Sequence, residues 1–222
     1  MADLTDSKTE KVARIIRRNH QSPIKNLLVV GCGSGLEAAI LAEQLQVETV
    51  GIDVEEKFDE RALRRASLQK GDAMALEFAD ESFDFVFSYH ALEHIENPSK
   101  ALREINRVLK KGGGFWIGTP NRSRMVGYIG GKETSFAQKI SWNLADWRAR
   151  AAGRFRNELG AHAGFTAVEL KSLLAEVFPT VNDMTETYFL EIYENRQSLI
   201  KLIAQSGFAR FIYPSVYFSG RK

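Results

Sequence analysis

Three glycines, Gly31, Gly33 and Gly35, fall inside the stretch VVGCGSG, between an apolar run and a segment of helical periodicity. A turn of this kind lets a ligand approach the backbone, and what it admits depends on the residues that follow. The dinucleotide fingerprint G-x-G-x-x-G needs its third glycine where this chain has Leu36, so the turn reads G-x-G-x-G and lacks the full provision for a pyrophosphate. No Gly-Lys-Ser/Thr follows, which rules out a Walker phosphate loop. Asp53 closes the next apolar run, GID, about 20 residues on, where a carboxylate can accept both hydroxyls of a ribose. Asp72, in KGDAM, closes the run after that. Its side chain can accept a hydrogen bond from an adenine amino group while Met74 packs on the ring. Sugar and base are thus provided for without a diphosphate. A plainer account stays open beside this one: Ser34 and Glu37 have capping-box spacing, and Asp53 and Asp72 could be ordinary strand-end caps.

Base chemistry at neutral pH points to histidine. His90 directly follows the run FDFVFSY, and His162 precedes a capped helix; these two are the candidate catalytic residues. His94 falls one helical turn after His90, and LEHI also reads as packing. HALEH lacks the glutamate placement of the helical zinc-protease motif, and the histidines have no cysteine company, so no metal site is expected. Cys32 is the only cysteine, so no intramolecular disulfide can form, and with no base beside it in the turn it reads as a small buried filler.

These residues need a scaffold that brings strand ends together. KNLLVV and ETVGID are short apolar runs separated by the helical LEAAILAEQL, a βαβ unit with parallel strands. EEKFDERALRRAS reads as helix, SLQKGDAM as a strand and its exit, and FDFVFSYH as a strand buried on both faces. Asn97 and Pro98 start a helix with the apolar stripe Ala101, Leu102, Ile105, Val108 and Leu109. Lys110 and Lys111 suit its negative dipole end, Gly112 to Gly114 end it, and GFWIGTPN is the next strand. Ser7 and Glu10 have capping-box spacing for a first helix ending near Asn19. Beyond the insert, Thr166 and Glu169 cap a helix to about Val177. TVNDMTET and YPSVYFSG read as the final strands, with a helix from about Asn195 to Gln205 between them.

The 222 residues, 44% of them hydrophobic, suit one domain over 1–222. Thirty basic against 28 acidic side chains leave a net charge of +2, too balanced to argue for a nucleic-acid or membrane partner from total charge. The charged N-terminus has no apolar leader and no stretch approaches the about 18 apolar residues of a membrane span, so a cytoplasmic protein is expected.

VVGCGSG, GID, GDAMALEF and ESFDFVFSYHALEHIENPSKALREINRVLKKGGGFWIGTPN run in order over residues 27–121. In these pieces the chain resembles the class I S-adenosylmethionine-dependent methyltransferases, particularly the methyltransferase type 11 small-molecule group related to the ubiquinone-biosynthesis enzymes. The resemblance implies an α/β, Rossmann-like seven-stranded sheet in the order 3-2-1-4-5-7-6, the last strand antiparallel, flanked by helices. It implies S-adenosyl-L-methionine as cofactor and S-adenosyl-L-homocysteine as product, with contacts from Gly31, Cys32, Gly33, Gly35, Asp53, Val54, Asp72, Ala73, Met74, Tyr89 and His90. After the fourth strand, SYHAL stands where amino-methylating DNA enzymes resemble one another in an Asn/Asp-Pro-Pro-Tyr/Phe signature, and no Pro-Cys nucleophile is present, so DNA is not expected as the acceptor. O-methylation of a small molecule is the expected activity, with C-methylation second.

The resemblance fades beyond Asn121, where a helical insert over about 121–164 follows strand 5. Between Arg122 and Gly160 eight basic residues face three acidic ones, interleaved with Tyr128, Phe136, Trp142, Trp147 and Phe155. The first expectation is a helical lid whose tryptophans pack on the sheet and whose arginines face water. An anionic or amphipathic small acceptor comes second, and RNA third. An RNA or protein methyltransferase and a catalytically silent cofactor-binding protein are the alternatives to a small-molecule enzyme.

Overall fold

The computed structural model describes residues 6–127, 135–159 and 162–222. Seven strands form one sheet: β1 (Asn26–Val30), β2 (Glu48–Asp53), β3 (Ser67–Lys70), β4 (Phe83–Tyr89), β5 (Leu109–Pro120), β6 (Thr180–Asp183) and β7 (Ser215–Arg221). Their order is β3-β2-β1-β4-β5-β7-β6, with β7 antiparallel to both neighbours and the pairs from β3 to β5 parallel, as expected.

The central strands read as unbroken apolar runs because both faces are covered. Leu28 and Val30 of β1, Val86 of β4 and Phe115 and Ile117 of β5 face one core, which α4 (Pro98–Val108) and α6 (Ala167–Ala175) cover with Leu102, Ile105, Leu170 and Leu174. The alternate residues Leu27, Val29, Phe85, Phe87 and Trp116 face the other. There α1 (Ser7–Asn19), α2 (Leu36–Leu45) and α7 (Thr185–Ile192) contribute Val12, Ile15, Leu41, Tyr188 and Phe189. The period-two alternation of strands sorts one sequence into two cores.

Several boundaries differ from the expectations. The N-cap of α1 is Asp6, which accepts from the backbone N–H groups of Lys8 and Thr9; Ser7 is already inside the helix. The helix in EEKFDERALRRAS is only α3 (Glu60–Leu63), because Ala62 is its sole buried residue and nothing else holds further turns against the body. Lys110 lies in β5, where it pairs with Asp84 at 2.7 Å, and Gly112–Gly114 lie inside the strand, next to a register shift between Phe83 and Phe85. Helix α4 keeps its Asn97 cap and Pro98 start. β6 stops at Asp183, whose Oδ1 accepts from Thr185 N–H and opens α7 where strand was expected. Helices α8 (Gln197–Gln205) and α9 (Ala209–Ile212) lead back to β7.

The insert forms α5 (Phe136–Ala151), capped reciprocally by Ser135 and Gln138. Tyr128, Gly130, Gly131, Lys132, Glu133 and Gly160 lie outside the described residues. Against the expected orientation of the insert, Trp142 and Trp147 are exposed, Arg124 is buried and Arg150 partly so; Arg148, Arg154 and Arg156 do face water. No helix among the described residues is long and apolar enough to cross a membrane.

Candidate functional site

At the carboxyl ends of β1, β2 and β4 the glycine turn is stitched to its neighbour strand. Gly31 and Cys32 donate their backbone N–H groups to the Ile52 carbonyl, 2.9 Å each, and Gly33 donates to Asp53 Oδ2 at 2.8 Å. Gly31 sits at φ +73°, and a Cβ there would collide with that of Ala91 in the segment after β4. At Gly33 the same construction meets nothing within 4 Å, so the missing side chain is an open cradle facing a cavity. Helix α2 starts at Gly35 with no side-chain cap, so the Ser34–Glu37 capping box is not formed. The glycines shape a turn and are not merely the approach to a helix.

The cavity measures about 510 Å³, within the range of small-molecule sites. Gly31, Gly33, Asp53, Val54, Asp72, Ala73, Met74 and His90 all line it. Asp53 uses one lone pair of each oxygen on backbone, accepting from Gly33 and from Glu55 at 3.1 Å, and Asp72 Oδ1 accepts from Met74 N–H at 2.8 Å. A carboxylate has about four acceptor positions, so each acid keeps capacity for a ligand. These are strand-end caps and, at the same time, walls of one cavity. The described residues therefore fit a nucleoside: acceptors for hydroxyl and amino groups, an open glycine, and Met74 and Val54 as apolar surface.

Three predicted cofactor residues do not line it. Cys32 is buried beside Gly51, and burial, helped by the charge of Asp53, pushes its thiol up to about 12. Gly35 packs against Leu68. Tyr89, the last residue of β4, packs against the second core: its ring stands edge-on to His90, 4.5 Å between centroids, and its hydroxyl meets those of Tyr188 at 3.0 Å and Tyr217 at 3.3 Å. Burial pushes the Tyr89 and Tyr217 hydroxyls well above their usual range, so this triad supplies no base at neutral pH.

His90 follows β4 at φ +53°, a conformation uncommon for a non-glycine residue, and its N–H donates to the Gly118 carbonyl at 2.8 Å. The imidazole Nδ1 stands 3.5 Å from Oε1 of Glu93, whose side chain is 1% exposed and whose carboxylate oxygens have no hydrogen-bond partner among the described residues. A buried carboxylate in that state is costly, and the nearest compensation is the His90 ring. Sequence reasoning missed Glu93, although its spacing of three from His90 was visible. It also passed over His94, which lines the cavity and carries the exposed His162 edge-on at 4.8 Å between ring centroids. His162 is thus brought beside the cavity wall without being part of it. Among the described residues no cluster of three or more His, Cys, Asp or Glu is placed to hold a metal ion.

Glu37, in the first turn of α2, has its carboxyl pushed up to about 7 by burial and then by the charge of Asp6, with Lys8 opposing. Its folded value lies above its ordinary 4.5, so the folded chain holds a proton that the unfolded chain releases. That contribution to stability is complete below about pH 4.5 and is lost as pH rises through 7. Discounted for partial exposure, the loss is about 2 kcal/mol. Urea unfolding at about pH 5 and about pH 8 is expected to show this loss in the parent chain and little of it in Glu37→Gln.

Residues 28–117 match the methyltransferase domain family. A segment of 101 residues is 36% identical to 27-O-demethylrifamycin SV methyltransferase of Amycolatopsis mediterranei, covering 41% of this chain and 37% of that protein. A segment of 113 residues is 35% identical to demethylmenaquinone methyltransferase of Symbiobacterium thermophilum, covering 45% and 44%. The alignments thus span less than half the length of these curated relatives. In fold, the chain is similar to phosphoethanolamine N-methyltransferase 2 of Haemonchus contortus, with a TM-score of 0.59 at 21% identity over 96% of this chain and 52% of that one.

Proposed function

Because residues 28–117 belong to the methyltransferase domain family and the chain carries the class I methyltransferase fold, we propose that this protein is an S-adenosylmethionine-dependent methyltransferase that methylates a hydroxyl of a small anionic or amphipathic acceptor. The observation that carries the reading is a single cavity lined both by the strand-end acids Asp53 and Asp72 and by His90. The name of the rifamycin relative specifies an oxygen acceptor, which favours O-methylation over the C-methylation kept as the second reading.

When bound, S-adenosylmethionine supplies an electrophilic methyl group on a sulfonium. Asp53 would hold the ribose hydroxyls through its remaining lone pairs, and Asp72 would take the adenine amino group, with Met74 against the ring. A hydroxyl is a poor nucleophile until it loses its proton, and His90, which lines the cavity with Nδ1 toward Glu93, would take that proton at Nε2. Glu93, behind Nδ1, favours the ring carrying its own hydrogen there and stabilises the positive charge that forms. His94 and His162 form one edge of the acceptor side. The remaining task of the chain is to hold the acceptor in line and exclude water.

The test is calorimetry of the full chain. Uptake of S-adenosylhomocysteine with no uptake of NAD is expected, followed by transfer of labelled methyl to hydroxyl-bearing acceptors. Tight NAD binding with no uptake of the nucleoside would refute the reading, and nucleoside binding without turnover on any acceptor would leave a silent binding protein.

A further inference from the structure

Helix α5 is amphipathic in the reverse of the usual sense. Its polar residues face the body: Asn143 accepts from Gly127 N–H at 2.7 Å and donates to its carbonyl, Asp146 pairs with Arg124 at 3.2 Å, and Arg150 donates to the Arg124 carbonyl at 2.9 Å while lying over the Phe155 ring. Phe136, Ile140, Leu144 and Trp147, spaced at i, i+4, i+8 and i+11, make one apolar stripe, and all four are exposed, Phe136 to 79%. A helix normally buries that stripe, and contiguous exposed apolar surface marks a contact site.

The stripe does not end with the helix. Trp147 Nε1–H donates to the Met125 carbonyl, and Met125 N–H donates to the Phe211 carbonyl, so the exposed Met125 links α5 to α9, with its exposed Phe208 and Ile212 flanking the junction. This surface stands on the carboxyl edge of the sheet, since Asn121 follows β5 and α9 leads into the start of antiparallel β7. The same edge holds the cavity. Arg148 of the same helix, Arg154 just beyond it and Arg210 of α9 are exposed and form no ion pair among the described residues.

We propose that this surface is an interfacial docking site for a bilayer bearing anionic lipid. An apolar stripe with tryptophan, bounded by uncompensated cations, matches the boundary between acyl chains and negative headgroups, where apolar burial and headgroup attraction add. Charge complementarity selects that occupant: a second copy of the chain would bring cations against cations. The inference stands independently of the methyl-transfer reading, because binding is read without turnover.

Co-sedimentation of the full chain with phosphatidylcholine vesicles, with and without phosphatidylglycerol, tests it. Binding is expected only with the anionic lipid and is expected to weaken with salt. Trp147, the tryptophan of the stripe, is expected to shift to the blue and to be quenched by brominated lipid. The exposed-site variants Phe136→Ser with Ile140→Ser, and separately Arg148→Glu with Arg154→Glu, are each expected to lower partitioning about tenfold or more, with S-adenosylhomocysteine uptake unchanged. Absence of anionic vesicle binding, unquenched tryptophan, or full binding by the Phe136/Ile140 variant would overturn the proposal. So would dimerisation on sizing, or salt-steep binding to single-stranded RNA, in place of vesicle binding.

Discussion

His90→Ala is expected to slow methyl transfer to a hydroxyl acceptor by about 10² to 10⁴, the usual contribution of a general base, while S-adenosylmethionine affinity stays within about twofold. The asymmetry follows from position. His90 lines the cavity, but the acids that would hold the nucleoside belong to β2 and to the turn after β3, and none of their hydrogen bonds passes through the imidazole. Removing the ring leaves Glu93 buried with no partner at all, so part of the cost would fall on stability. His90→Gln, which keeps a polar group near Glu93 without a titrating nitrogen, separates the two effects: it is expected to recover stability and not turnover. His162→Ala should cost only several-fold, because that ring touches His94 and stands outside the cavity wall. Steady-state turnover beside calorimetric affinity reads all three. Full turnover in both alanine variants would remove histidine base catalysis.

Asp53→Ala is expected to weaken S-adenosylhomocysteine binding by about 10² to 10⁴. Two charge-assisted hydrogen bonds to ribose hydroxyls would be lost, each worth about 1.5 to 3 kcal/mol. The same carboxylate also accepts from Gly33 and Glu55, so its removal frees the glycine turn from the end of β2. Asp53→Asn isolates the ligand share, because its amide oxygen can still accept from one of the two backbone N–H groups. Calorimetry with both variants should order them parent, Asn, Ala in affinity, and a thermal melt should show Asn closer to the parent. Unchanged affinity in Asp53→Ala would show that the nucleoside does not use this acid.

The scaffold was legible in the sequence because its signals are local. Strand, glycine turn and helix alternate within short windows, and each central strand is apolar throughout because both its faces are covered. Asp53 and Asp72 could be placed at one edge because parallel strands end on the same side. Boundaries slipped where a neighbour decided them: Asp6 outcompeted Ser7 as a cap, and Lys110 left its helix end for Asp84.

What the chain by itself determined is therefore the alternation of parallel strands with helices and the strand-end residues that meet at one cavity, while the sheet order was what the resemblance implied. Only the tertiary structure decided that Tyr89 packs against Tyr188 and Tyr217 while His90 lines the cavity, that Glu93 is buried behind that ring, and that α5 lies polar side down. Periodicity reveals that a helix has an apolar stripe, but not which side finds a partner. For α5 the partners are Gly127 and the Arg124 backbone, 16 to 26 residues away along the chain. Hydrogen bonds over that separation outweighed the burial that the stripe alone would have favoured.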